Sequence, residues 1–243
     1  MKKRFIISIS LLLTALFFGL SQYQDLFSQS DYLILEDFQK YGENPFASWT
    51  SREDLKKAAT VYKIVEENGK KFLRASTVNA NNSVQIGKDK LKWDIKTHPY
   101  LSWEWRVRIL PDGGNEKDGS TRDSAAGVYV VYQTKSIPLV GTQYQPANWI
   151  KYVWSTTLPV GTVIPRKITK LGFNLEGRYV VVASGKKDLN KWITFKRNVV
   201  DDYQQFFGTK PPYKSIMIGI LTDSDDTKSK AEADYGVIKA SKN

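Results

Sequence analysis

The run from Tyr100 to Leu110, YLSWEWRVRIL, limits the available folds more than any other stretch. Leu101, Trp103, Trp105, Val107 and Ile109 alternate with Ser102, Glu104, Arg106 and Arg108. A period of two is the signature of an extended strand with one apolar and one polar face. Two tryptophans on the apolar face need a second layer to cover them, so this strand belongs to a sheet packed against another element.

The rest of the chain has the same texture. Val61 to Thr77 reads as two strands joined by Asn68-Gly69, the dipeptide that supplies positive φ in a two-residue hairpin. Ser83–Ile86, Ala125–Thr134, Trp149–Thr157, Tyr179–Ala183 and Trp192–Phe195 are further runs rich in aromatic and β-branched residues. Ile216 to Ile238 reads as a pair of strands closing the domain around an acidic turn. Helical signals are confined to Arg52–Ala59 and to Val199–Phe207, the latter stopped by Gly208. About ten short strands, turn-punctuated and without a repeat, predict an all-β fold. The expected architecture is an antiparallel β-sandwich of jelly-roll type with one or two short helices; a closed barrel is the alternative.

Residues 1–21 carry Lys2, Lys3 and Arg4 ahead of an apolar run from Phe5 to Leu20, the pattern of a secretory signal peptide or, if uncleaved, of an N-terminal anchor. Its expected contact with the membrane is during export. Residues 22–243 then form a single domain, periplasmic or extracellular. The chain has no Cys, which excludes disulfides, thiolate chemistry and lipid attachment at cysteine. Its formal charge of +11 is spread over separate turns, as in Lys56-Lys57, Lys70-Lys71 and Lys186-Lys187. A nucleic-acid partner would need those charges gathered into one stripe, so none is expected.

Taken together, the Trp103-Glu104-Trp105-Arg106-Val107 strand, Pro111 with Gly113-Gly114, Asp123, Tyr152-Val153-Trp154, Arg197-Asn198-Val199 with Asp202-Tyr203, Thr222 to Thr227 and Tyr235-Gly236 resemble a bacterial domain-of-unknown-function family, number 3047. The resemblance implies an exported domain without an assigned activity. It also implies Arg where this chain has Gly127 and Asn where it has Asp226. The general layout looks like carbohydrate-binding jelly rolls.

Two constellations could carry chemistry. Glu104 and Arg106, with Asp123 from the loop before the next strand and Tyr152 or Trp154 as a platform, would suit a sugar: aromatic faces meet the C–H face of a pyranose while carboxylate and guanidinium bond its hydroxyls. Asp223, Asp225 and Asp226 offer oxygen ligands to a hard cation, with structural Ca²⁺ the cofactor they would suit. The segment fails the EF-hand template, however, because Lys228 stands where glycine is required; a turn capped by its own side chains is the competing reading. The lone histidine, His98, lacks any supporting motif, and no catalytic residue is assigned. The expected function is therefore non-catalytic binding of a glycan or another cell-envelope component. A carboxylate-dependent glycan-cleaving enzyme, pairing Glu104 with Asp123 or Asp223, and a structural envelope protein are the alternatives.

Overall fold

The computed structural model describes residues 31–42, 49–51, 55–86, 90–133, 137–139, 142–144, 146–170, 172–212 and 215–243; the apolar leader lies outside them. Strands are numbered in chain order. One sheet runs β13 (Ile193–Asn198), β6 (Tyr100–Ile109), β15 (Lys230–Ser241), β4 (Lys70–Val78), β3 (Tyr62–Glu67), with β1 (Tyr32–Glu36) paired to the end of β15. The other runs β11 (Val163–Lys170), β12 (Phe173–Ser184), β10 (Ala147–Ser155), β7 (Ala126–Gln133), β14 (Ser215–Leu221), β5 (Val84–Ile86), β2 (Thr50–Ser51). A small hairpin, β8 (Ile137–Leu139) and β9 (Thr142–Tyr144), follows β7 and precedes β10 in the chain. Two helices among the described residues, α1 (Leu55–Val61) and α2 (Val199–Phe207), complete a β-sandwich.

Pairing is antiparallel except between β10 and β12, which run parallel because β11 returns along the sheet edge between them. Asn68 (φ 52°) and Gly69 (φ 76°) make the tight turn of the β3–β4 hairpin, as their sequence predicts. The expected closing pair does not form. β14 pairs with β7 and β5, whereas β15 pairs with β6 and β4, so the acidic turn carries the chain from one sheet to the other.

Between the sheets lies an aromatic seam. Trp103 stacks on Tyr152 of the opposite sheet with centroids 5.0 Å apart, Trp105 lies 6.4 Å from Trp154, and Phe195 packs on both tryptophans of β6. Leu101, Trp103, Trp105 and Val107 are buried as their alternation requires. Ile109 is exposed and Leu110 is buried in its place, where a register shift interrupts the pairing of β6 with β15. Helix α2 is locked down at one end of this seam. Asn198 Oδ1 accepts from the Val200 and Asp201 amides, Gly208 closes the helix at φ 72°, and buried Asp202 accepts from both Tyr152 Oη (2.7 Å) and the Arg197 guanidinium.

The outer face of the first sheet is sealed by ions. Asp234, fully buried on β15, sits in register between Arg74 of β4 and Arg106 of β6. It accepts from Arg74 Nε (2.7 Å), Arg106 Nε (2.8 Å) and Arg108 Nε (2.8 Å). Glu67 of β3 caps the same three guanidiniums at 2.7–3.0 Å. The Arg106 plane also lies over Trp192, 4.8 Å from a ring centroid. Hydrogen bonds from Arg106 and then Arg74 hold the Glu67 carboxyl down at about 2. Its contribution to stability is therefore present above its ordinary 4.5 and fades as pH falls towards 2.

Removing the central carboxylate leaves three clustered cations without their common acceptor. Asp234→Ala is expected to lower unfolding free energy by about 3–5 kcal/mol. Urea denaturation checks this, and a loss below about 1 kcal/mol would mean that solvent already compensates the arginines.

Candidate functional site

The structure separates the residues expected to share a ligand cleft. Glu104 and Arg106 lie on the sealed face of the first sheet: Glu104 Oε1 accepts from the Val237 amide (3.2 Å) and pairs with Lys70 Nζ (2.9 Å). Tyr152 and Trp154 point the other way along β10 from any solvent face. Their rings fill the seam, the Tyr152 hydroxyl is spent on Asp202, and Trp154 Nε1 donates to the Gly185 carbonyl at 3.1 Å. They are core, and the platform expected of them does not exist. Asp123 sits elsewhere again, buried at the end of the second sheet. A carboxylate pair of Glu104 with Asp123 or Asp223 is thus not assembled, because these side chains belong to different faces of the sandwich.

The residues of opposite phase on β10 were not anticipated. Trp149 and Lys151 alternate with buried Ile150 and Tyr152, and so lie on the outer face of the second sheet. That face is hollowed into a groove of about 570 Å³. Tyr129, Val131, Met217 and Gly219 form its floor; Trp149, Tyr179, Ile168 and Leu175 form one side; Asn81, Ser83 and Gln85 form the other. Arg122 and Asp223 close one end. Gly177 makes the Trp149 position available, since it faces Trp149 across the β10–β12 pair and a Cβ there would overlap the indole ring. The tryptophan therefore lies flat on bare backbone, partly exposed.

At the closed end the acidic turn meets the loop before β7. Asp123 is held by the Thr227 amide (2.7 Å), Thr227 Oγ1 (2.6 Å) and the Asp226 amide (3.3 Å). Asp226 turns away to Arg122 at 3.2 Å, which corrects its expected place among metal ligands. Asp123 takes that place: oxygens of Asp123, Asp223 and Asp225 fall within 4.8 Å of one another, and these three are the residues that could hold a hard cation. A cation already stands beside them. The Lys151 ammonium, fully buried, lies 3.9 Å from Asp223 Oδ2 and 3.4 Å from Ser124 Oγ, with the Tyr129 and Tyr179 rings flanking it. Its stem runs over Gly127, where a Cβ would come 2.5 Å from Lys151 Cε. The side chain that the family resemblance implies at 127 would occupy this space, and Lys151 fills it from the neighbouring strand.

Burial drives the Asp223 carboxyl up to about 8, against the pull of Lys151, and the nearby Asp225 and Asp123 carboxylates add to the rise. Asp225 is also pushed up by burial, but hydrogen bonds from Asn81 and Asp223 outweigh that and bring it below the ordinary carboxylate range. With Asp223 held up and Asp225 held down, the two carboxyls are placed to share one proton, and an Asp223 Oδ1 buried without a donor fits that arrangement. The folded state binds this proton more tightly than the unfolded chain, so Asp223 stabilises most below pH 4 and the contribution is lost as pH rises towards 8. Asp223→Asn is expected to flatten the stability profile across that window and to leave the variant more stable than the parent at alkaline pH. Thermal melts from pH 4 to about 9 measure this; parallel profiles for the two proteins would contradict the assignment.

Solved structures similar to this chain include endoglucanase 3 of Trichoderma harzianum, from family GH12, at 10% identity and a TM-score of 0.41, covering 88% of this chain and 98% of that one. Endoglucanase Cel12A of Rhodothermus marinus is similar at 8% identity and a TM-score of 0.41, covering 87% and 93%. The K3 adhesin domain of Lys-gingipain from Porphyromonas gingivalis is similar at 10% identity and a TM-score of 0.36, covering 86% and 99%. At that distance the likeness carries no argument. No curated protein sequence matches the chain. A family described as protein of unknown function, DUF3047, matches residues 47–239. The expected resemblance holds over most of the described domain, and the chain belongs to that family.

Proposed function

We propose that the chain is an exported binding module that holds a glycan in the groove on the outer face of the second sheet. The observation that carries this reading is the partly exposed Trp149 indole laid flat across Gly177, facing a row of amide and hydroxyl side chains on the other side of the groove. A glycan of several residues laid across the strands presents both surfaces, an apolar ring face of one sugar for the indole and the hydroxyls of another for Asn81, Ser83 and Gln85. Export rests on the basic and apolar leader of residues 1–21, and determination of the mature N-terminus tests it.

Binding rather than cleavage is favoured by the placement of carboxyls. Glycoside hydrolysis uses two carboxyl groups about 5–9.5 Å apart across the scissile bond. Among the described residues that line the groove, Asp223 is the one carboxyl, and its proton-sharing partner Asp225 lies on the same turn rather than across the groove. On this reading Asp223 donates or accepts a hydrogen bond at the end of a bound chain. The acidic turn serves the groove by building that end, and Ca²⁺ would serve only to brace Asp123, Asp223 and Asp225.

Affinity electrophoresis and calorimetry on a panel of soluble polysaccharides test the proposal, with release of reducing sugar followed in parallel. At least one polymer should bind without being cleaved. Trp149→Ala should weaken that binding tenfold or more, about the loss expected for an aromatic anchor, and Trp149→Phe should restore part of it. Gly177→Val should act like Trp149→Ala, by lifting the indole. Release of sugar that Asp223→Asn abolishes would overturn the non-catalytic reading.

A further inference from the structure

Building on the groove reading, we infer that the site selects an uncharged polysaccharide and discriminates against polyanionic ones, although the chain as a whole is strongly basic. The charge of +11 suggests the opposite at first sight, since a basic protein outside the cytoplasm attracts acidic surfaces. The distribution of that charge decides otherwise.

Among the described residues that line the groove, Arg122 is the one basic side chain and Asp223 the one carboxyl. Arg122 is neutralised by Asp226 at 3.2 Å. Lys151 lies under the same face, but its side chain is 1% exposed, enclosed by Tyr129 and Tyr179 and directed at Asp223 and Ser124. Arg166 of β11 has its guanidinium 5.6 Å from the Tyr179 ring centroid, outside the lining. Behind the closed end stand Asp123, Asp223, Asp225 and Asp226, so four carboxyl groups face the two cations Arg122 and Lys151. A uronic acid polymer laid along the groove would meet the paired Arg122 guanidinium and a carboxyl-rich wall at one end, and a single further cation, Arg166, at the β11 edge beside Tyr179. Polyanion binding instead draws its affinity from several unpaired cations spaced along the chain. The remaining polar lining, Asn81, Ser83, Gln85 and Gln133, is uncharged and matches hydroxyls or acetamido groups.

The test is calorimetry of the full exported domain against soluble neutral glucans, mannans and xylans and against polygalacturonate and alginate. Each is measured at about 0.02 M and 0.3 M salt, with Trp149→Ala alongside. The tightest ligand should be a neutral polymer whose affinity changes less than about twofold with salt and falls at least tenfold in Trp149→Ala. Polyanions should bind at least about tenfold more weakly than it does, be displaced by salt, and be indifferent to Trp149→Ala, as expected of lysines scattered over the turns. A uronic acid polymer that binds tightest and is lost in Trp149→Ala would overturn the charge selectivity while leaving the groove reading intact. If no polymer responds to Trp149→Ala, with the variant's melting temperature unchanged, the groove reading fails and this inference fails with it.

Discussion

The aromatic seam between the two sheets is the constraint on which the rest of the molecule depends. Trp103 and Trp105 from one sheet and Tyr152 and Trp154 from the other occupy a single layer, and none of these rings can be exposed without opening the sandwich. Once β6 and β10 commit those side chains inward, the opposite phase of each strand is fixed as well. Glu104, Arg106 and Arg108 must lie on one outer face, Trp149 and Lys151 on the other.

The two outer faces then diverge in chemistry. On the first sheet the charges find one another across neighbouring strands, and Asp234 and Glu67 consume all three guanidiniums. Such a face is satisfied from within and leaves little to offer a ligand. On the second sheet the side chains differ in bulk: Gly177 and Gly219 alternate with Trp149 and Tyr129, and the surface becomes concave. Lys151 and the acidic turn meet at the end of that hollow, where burial and the neighbouring carboxylates push Asp223 up. The proposed ligand contacts fall where the sheet is left unfilled, and the ion pairs where it is filled.

Much of the architecture was legible in the sequence because it is written in local periodicity. The β6 alternation, the Asn68-Gly69 turn and the capped helix from Val199 to Gly208 each follow from short-range sterics or hydrogen bonding. Strand β11 was harder to read, since Pro165 interrupts it; an edge strand tolerates proline because one side of its backbone needs no partner. The site was less legible for a different reason. In Trp149 to Trp154 both phases carry aromatic residues, so alternation identifies two faces without saying which one is inside. Burial depends on what β6 brings from the opposite sheet, which is long-range information. The meeting of Asp123 with Asp223 and Asp225 is equally non-local, since it arises from a crossing between sheets.

The central claim is that ligand contacts fall on the second sheet and not on the ion-sealed face of the first. Titration of a bound polysaccharide into isotopically labelled protein, followed by amide and indole chemical shifts, addresses it directly. The account predicts perturbation of the Trp149 indole and of the Gly177, Tyr179 and Gln85 amides, with the Trp192 indole and the Arg106 region unmoved. Shifts centred on Trp192, Glu104 and Arg106 would contradict it.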